Sequence, residues 1–184
     1  QKADYMCSRI KLINGEIGEF VEPDETDLFI PPSSLENRLK WASSLNKMRM
    51  QMQQDSLARI VVGGKVTGFL GYMAGIAEEF MVSVDKKQPV FLIGGVGGAA
   101  HVIADLLEGK ATSETLKSLA QSDTKYLELY QWCENNDHHI DYEHFDKYNW
   151  KDLNNGLSEE QNRNLFHSVD IVEIVSLVLL GLSN

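Results

Sequence analysis

Residues 61–80 read VVGGKVTGFLGYMAGIAEEF, and five of the chain's 14 glycines fall between Gly63 and Gly75. Ordering a glycine costs more backbone entropy than ordering any other residue, so such a cluster marks backbone that needs positive φ or close approach to another group. The run leading into it, ARIVVGG at 58–64, is nearly all apolar and stops at paired glycines. That is the pattern of a strand buried on both faces of a parallel sheet. IAEEFMVSVDKK follows with the character of a helix, and PVFLIGG at 89–95 repeats the buried strand and its glycine pair. AAHVIADLLEG then predicts a helix stopped by Gly109. Strand, glycine loop, helix, strand, glycine loop, helix is a βαβα unit, so the fold class expected is α/β, a Rossmann-like parallel sheet flanked by helices.

The flanks are organised around this core. In SSLENRLKWASSLNKMRMQMQQ the apolar residues Leu35, Leu39, Leu45, Met48 and Met52 recur at helical spacing, and Ser33 with Glu36 reads as a capping box. Further upstream, RIKLINGEIGEFVEP reads as a short strand or hairpin turning at Asn14-Gly15. Downstream, TSETLKSLAQS offers Thr112 or Ser113 as an N-cap, and YLELYQWCENND reads as a helix before the polar aromatic loop HHIDYEHFDKYNW. SEEQNRNLFHSVDIVEIVSLVLLGL closes the chain as one or two helices opened by Ser158 and Gln161. The expected organisation is a single domain over 1–184: a strand and loop to residue 32, a glycine-loop core over 33–109, and a helical part over 110–184. Gln1 is not a start methionine, which points to processing or to a piece of a longer protein.

Composition sets the class. The formal net charge is −10, with 17 Lys and Arg against 27 Asp and Glu, and this argues against nucleic acid as a partner because such binders present a basic face. The longest apolar run, IVEIVSLVLLGL, contains Glu173 and falls short of the ~20 residues a membrane span needs. Cys7 and Cys133 are the two cysteines, which suits a reducing cytoplasm better than a secreted scaffold. Cytoplasmic localisation is the expectation.

Ligands of parallel sheets bind beyond the carboxyl ends of the strands, where both glycine pairs lie. Gly63 and Gly64 end one strand. Gly94, Gly95, Gly97 and Gly98 end the next and precede a helix, whose N–H groups and dipole favour an anion. The same glycines read equally well as positions that let helix and strand pack closely. Glu78 and Glu79 open the helix after the first loop, either as dipole-stabilised carboxylates or as groups facing the crevice, where one would bond a ribose hydroxyl or act as acid or base. Arg49 lies among Met48, Met50 and Met52 on an amphipathic helix, and the ordinary reading is a solvated arginine beside core methionines. Lys65 either reaches a phosphate or points into water. Cys133, His138, His139 and His144, with Asp137, Asp141 and Glu143, match no zinc spacing and read as a solvated loop, so no metal and no resident cofactor is expected. Nothing marks a nucleophile elbow.

MRMQMQQDSLARIVVGG followed by GIAEEF resembles the SLOG superfamily, which contains the lonely-guy phosphoribohydrolases, DNA-processing proteins and the sensing domain of melastatin-type channels. The phosphoribohydrolases carry an Arg-bearing helix, a strand ending in Pro-Gly-Gly, then Gly-Thr with a glutamate three residues after the threonine. The resemblance places Arg49 at the arginine, Gly63 and Gly64 at the glycine pair, Gly75 at the later glycine and Glu79 at the glutamate, with Arg49 and Glu79 as the catalytic pair. Lys65, Glu78 and the glycines 94, 95, 97 and 98 complete the expected ligand site. The chain departs at Val62, which replaces the proline, at Ile76, which replaces the threonine, and in the longer segment KVTGFLGYMA. Together with GGVGGAAHVIAD and LNNGLSEEQNRNLF, the longer loop resembles the prokaryotic sensor-like branch. The resemblance implies a domain that binds a nucleotide or an ADP-ribose-like metabolite as a sensor in bacterial defence or signalling. The alternative it implies is a hydrolase of a nucleotide's N-glycosidic bond, and the apolar C-terminal helix keeps open a third reading, a structural oligomerisation module. The resemblance also implies a further strand and glycine loop upstream, missing from what can be read here, and it leaves a homo-oligomer or a fused effector domain as partners beside the small-molecule ligand.

Overall fold

The computed structural model describes residues 31–184. The expected Asn14-Gly15 hairpin lies outside the described residues. Seven α-helices and a two-stranded parallel sheet make up the described part: α1 (Leu35–Gln54), β1 (Arg59–Val62), α2 (Gly75–Asp85), β2 (Val90–Ile93), α3 (Gly98–Leu107), α4 (Ser113–Gln121), α5 (Thr124–Asn135), α6 (Glu159–His167) and α7 (Ile171–Ser183). Two 3-10 turns, Glu143–Lys147 and Trp150–Leu153, lie between α5 and α6. The architecture is mixed α/β and helix-dominated, a partial Rossmann-like fold. None of the described helices is long and apolar enough to cross a membrane.

The strands pair in parallel with Arg59 opposite Val90 and Val62 opposite Ile93. Alternation along them divides the interior into two cores. Val61, Val90 and Leu92 face the larger one, with Phe80, Ile103 and Phe145. Phe91 and Ile93 face the smaller one, with Leu157 of the loop before α6 and Leu165, Ile174 and Val178 of the C-terminal helices. β2 is buried throughout, as its apolar run requires. β1 is not buried on both faces as its sequence suggests, because Ile60 and Val62 are exposed. β2 is the one strand paired with β1 among the described residues, and α7 covers the shared face over β2.

Local chemistry sets the helix ends. Ser34, not Ser33, caps α1: its side chain accepts from the Asn37 N–H at 3.2 Å, which moves the expected box by one residue. Thr112 caps α4, and Thr115 Oγ1 accepts from the Thr112 N–H at 3.3 Å. Ser158 and Gln161 form the expected reciprocal box on α6. Gly109, at φ +71°, follows α3. The NNG of LNNGLSEEQNRNLF ties α6 to the start of β2, because the buried Asn155 Nδ2 donates to the Val90 carbonyl at 2.7 Å and to Asn162 Oδ1 at 2.8 Å.

The two glycine loops touch through backbone alone. Ala99 N–H donates to the Gly64 carbonyl at 3.0 Å and Ala100 N–H to the Gly63 carbonyl at 2.9 Å, so the end of β1 supplies partners for the first turn of α3. A Cβ at Gly98 would stand 2.3 Å from the Gly64 carbonyl oxygen, and its φ is +71°. Gly98→Ala therefore separates the loops, and we expect a loss of about 2–4 kcal/mol in urea unfolding, above the ~1 kcal/mol for a strained backbone alone. Gly109→Ala, with the same φ and open space around its Cβ, provides the comparison and loses only the smaller amount.

Candidate functional site

The glycines predicted to form one cradle divide by what surrounds them. A Cβ on Gly63 or Gly97 would meet nothing within 4 Å, and both residues have positive φ, +62° and +89°. These two face open space at the carboxyl ends of β1 and β2. At Gly64, itself exposed, a Cβ would instead collide with the Ile76 side chain at 2.5 Å. Gly94 and Gly95 serve packing too, since a Cβ on either would come within 2.6 Å of the backbone carbonyl of Phe166 or His167 at the end of α6. Gly97 has φ +89° and ψ −163°, a region essentially reserved for glycine, so a side chain there strains the loop as well as filling it.

The N–H groups of Ala99 and Ala100, which a free helix N-terminus would offer to an anion, are bonded to Gly64 and Gly63. The Gly97 N–H closes a turn onto the Gly94 carbonyl at 2.9 Å. Lys65, the residue after the glycine pair, is exposed and near this opening in sequence.

Arg49 is the opposite of a solvated arginine. It is buried, while Met50 and Met52 on the same helix are exposed, because the buried face of α1 runs through Arg38, Ala42 and Arg49. Its guanidinium Nη1 donates to the Glu78 carboxylate, which also accepts from Asn46 Nδ2. Glu78 is 2% exposed. Burial raises its carboxyl above the ordinary carboxylate range, and the Arg49 charge and the Asn46 and Arg49 hydrogen bonds oppose that rise. A Cβ at Gly75 would lie 2.7 Å from an Arg49 guanidinium nitrogen, and one at Gly71 would lie 2.8 Å from the Met73 carbonyl oxygen and 2.9 Å from Arg49. Part of the glycine cluster thus makes room for a buried cation.

Glu79 is held from two sides, by Arg59 Nη1 at 3.1 Å and by Arg49 Nε at 3.8 Å. The two residues assigned as a catalytic pair are therefore neighbours, but Arg49 is committed to Glu78 and Glu79 is engaged mainly by Arg59. Glu78 lies within the first turns of α2 facing inward, not on the crevice. Arg59 and Asn46 carry no motif. Asn46 precedes Arg49 by one helical turn, which is the single sequence signal that both share a face.

A second concavity, about 560 Å³, lies between α1, α5 and the loop before α2, lined by Leu39, Ser43, Tyr72, Trp132 and His138 among others. His138 packs on Tyr72 with ring centroids 4.5 Å apart. Tyr126 Oη donates to the Tyr72 carbonyl at 2.6 Å, fastening the glycine-rich loop to α5. No local pattern marks this cleft, because its rings come from segments about 60 residues apart in the chain. His139 Nδ1 lies 3.0 Å from Glu134 and His144 Nε2 3.0 Å from Asp85, so the histidines of the polar loop point to separate partners. Among the described residues no three His, Cys, Asp or Glu side chains converge closely enough to hold a metal ion.

A parallel strand pair whose loops meet through glycine backbone, above a helix that carries an arginine, defines a Rossmann-like α/β domain with its opening at the strand ends. The model of the family SLOG cluster2 matches residues 6–165, and the chain belongs to that family. No curated protein and no solved structure matches it.

Removing Arg49 tests the buried pair. With Arg49→Met, Asn46 alone is left to offset the burial of Glu78, and we expect a loss of about 3–5 kcal/mol at neutral pH by denaturant titration. The folded carboxyl, already raised, rises further, so the proton it binds stabilises the fold in acid and that stability is lost as pH climbs through the raised value. The deficit of Arg49→Met therefore shrinks as pH falls towards the carboxylate range. Adding Glu78→Gln recovers part of the stability and removes this pH dependence.

Proposed function

We propose that this chain binds a nucleotide or an ADP-ribose-like signal metabolite at the carboxyl ends of β1 and β2, and does so as the sensor domain of a bacterial defence or signalling protein. The observation that carries this reading is the pair of open glycines, Gly63 and Gly97, on loops joined by backbone hydrogen bonds. Neither position presents a side chain to keep a phosphate or ribose from the main chain. Membership of SLOG cluster2 supports a nucleotide-related ligand. We assign Lys65, the exposed residue after the glycine pair, to the phosphate, and Glu79, held by Arg59 and Arg49, to a ribose hydroxyl.

Binding is favoured over hydrolysis by what surrounds the would-be catalytic groups. Arg49 would have to leave Glu78 buried and unpaired to reach a phosphate, at a cost of several kcal/mol. Ile76 stands where the hydrolases carry a threonine hydroxyl, and its side chain packs over Gly64. That position therefore offers a phosphate no hydrogen bond.

The test is to incubate the purified chain with nucleoside monophosphates, NAD and ADP-ribose, then follow unfolding by scanning calorimetry and products by chromatography. A ligand at a hundred times its dissociation constant stabilises the folded state by about 2.7 kcal/mol and raises Tm accordingly. We expect such a rise with one of these compounds, no product, and weaker binding by about 1.5–3 kcal/mol in Glu79→Gln. Release of free base that vanishes in Glu79→Gln would establish the hydrolase instead. No Tm shift with any of them would overturn the nucleotide reading.

A further inference from the structure

α7 carries two apolar seams, and among the described residues one of them is packed. Ile174, Val178 and Gly181 turn inward onto Phe91 and the smaller core, with Gly181 so close that a Cβ would stand 2.6 Å from the Phe91 ring. The second seam is Val172, Val175, Leu179 and Leu182, with Ile171 beside it. Ile171 is 68% exposed, Val172 70%, Leu179 62% and Leu182 55%. The steps of three, four and three residues are those of a coiled-coil seam, whose partner is another helix bearing the same pattern. On the sheet face that α7 covers at β2, Ile60 and Val62 of β1 are also exposed.

We infer that this face is a homodimer interface in which α7 of one copy packs its outer seam against α7 of a second copy. Area supports a second copy: the exposed residues of α7 with Ile60, Val62 and Val169 leave on the order of 700 Å² accessible, close to the ~800 Å² each partner contributes to a standard interface. Charge narrows the occupant further. Glu173 is the one charged residue of α7, and it lies off the seam, accepting from Ser168 Oγ at 2.6 Å. The helix has no lysine or arginine to hold an anionic lipid surface, and the chain's net charge of −10 opposes one. An uncharged, self-complementary seam suits a two-fold contact, in which the same patch serves both partners. The matched family region ends at residue 165, before α7 begins, so the inference stands on this chain's own residues and not on the ligand reading.

Light scattering after size exclusion on the 184-residue chain tests it. The expected mass is twice the chain's 20.7 kDa. Val172→Glu with Leu179→Glu places charges on the outer seam and leaves the inner one intact, so the variant should run at the single-chain mass with unchanged far-ultraviolet circular dichroism. Vesicles of anionic lipid should retain neither protein on flotation. A wild-type chain of single mass at tens of micromolar, or a dimer that survives both glutamates, would overturn the interface. Vesicle binding that those glutamates abolish would assign the face to a membrane and likewise overturn it.

Discussion

The N–H groups of Ala99 and Ala100 donate to the carbonyls of Gly64 and Gly63, and the geometry of the site descends from those two bonds. They join the end of one strand to the start of the helix that follows the next, across a gap that only glycine at position 98 leaves open. They also occupy donors that a helix N-terminus would otherwise turn towards an anion. The loops therefore present bare backbone at Gly63 and Gly97 rather than a ring of free amides.

Below the loops, the charges are arranged to be hidden. Arg49 and Glu78 neutralise each other under Gly71 and Gly75, and Asn46 shares the carboxylate. A buried ion pair of this kind adds little net stability compared with an apolar filling, but it tolerates few alternative arrangements. It fixes the α1 to α2 contact and with it the path of the segment between β1 and α2. Arg59 performs a related service for Glu79 from the start of β1.

The backbone of the core was legible because its signals are local. The apolar runs ended by glycine pairs marked both strands and their parallel arrangement, and the caps at Ser158 and Gln161 marked α6. Arg49 and Glu79 do lie together, but the partners that hold them, Glu78 and Arg59, were not legible. Helical periodicity puts Met48 and Met52 on the apolar stripe and Arg49 beside it, and cannot show that the face through Arg38 and Ala42 is the one pressed inward. Nor does a run such as RIVV reveal how many neighbours a strand has, which is why the exposure of Ile60 and Val62 escaped it. Glycines are ambiguous for the same reason: Gly94, Gly95 and Gly97 look alike in sequence, yet the first two press on the end of α6 and the third faces open space.

Asn155 binds the carbonyl of Val90, a residue 65 positions earlier. On a chain made from its N-terminus onward, β2 emerges long before the side chain that satisfies its first carbonyl and the helices that cover Phe91 and Ile93. During that interval the strand has one apolar face without its cover. Synthesis therefore leaves the βαβα unit waiting for its C-terminal helices, and closure of the smaller core comes as a late event set by the order of the chain.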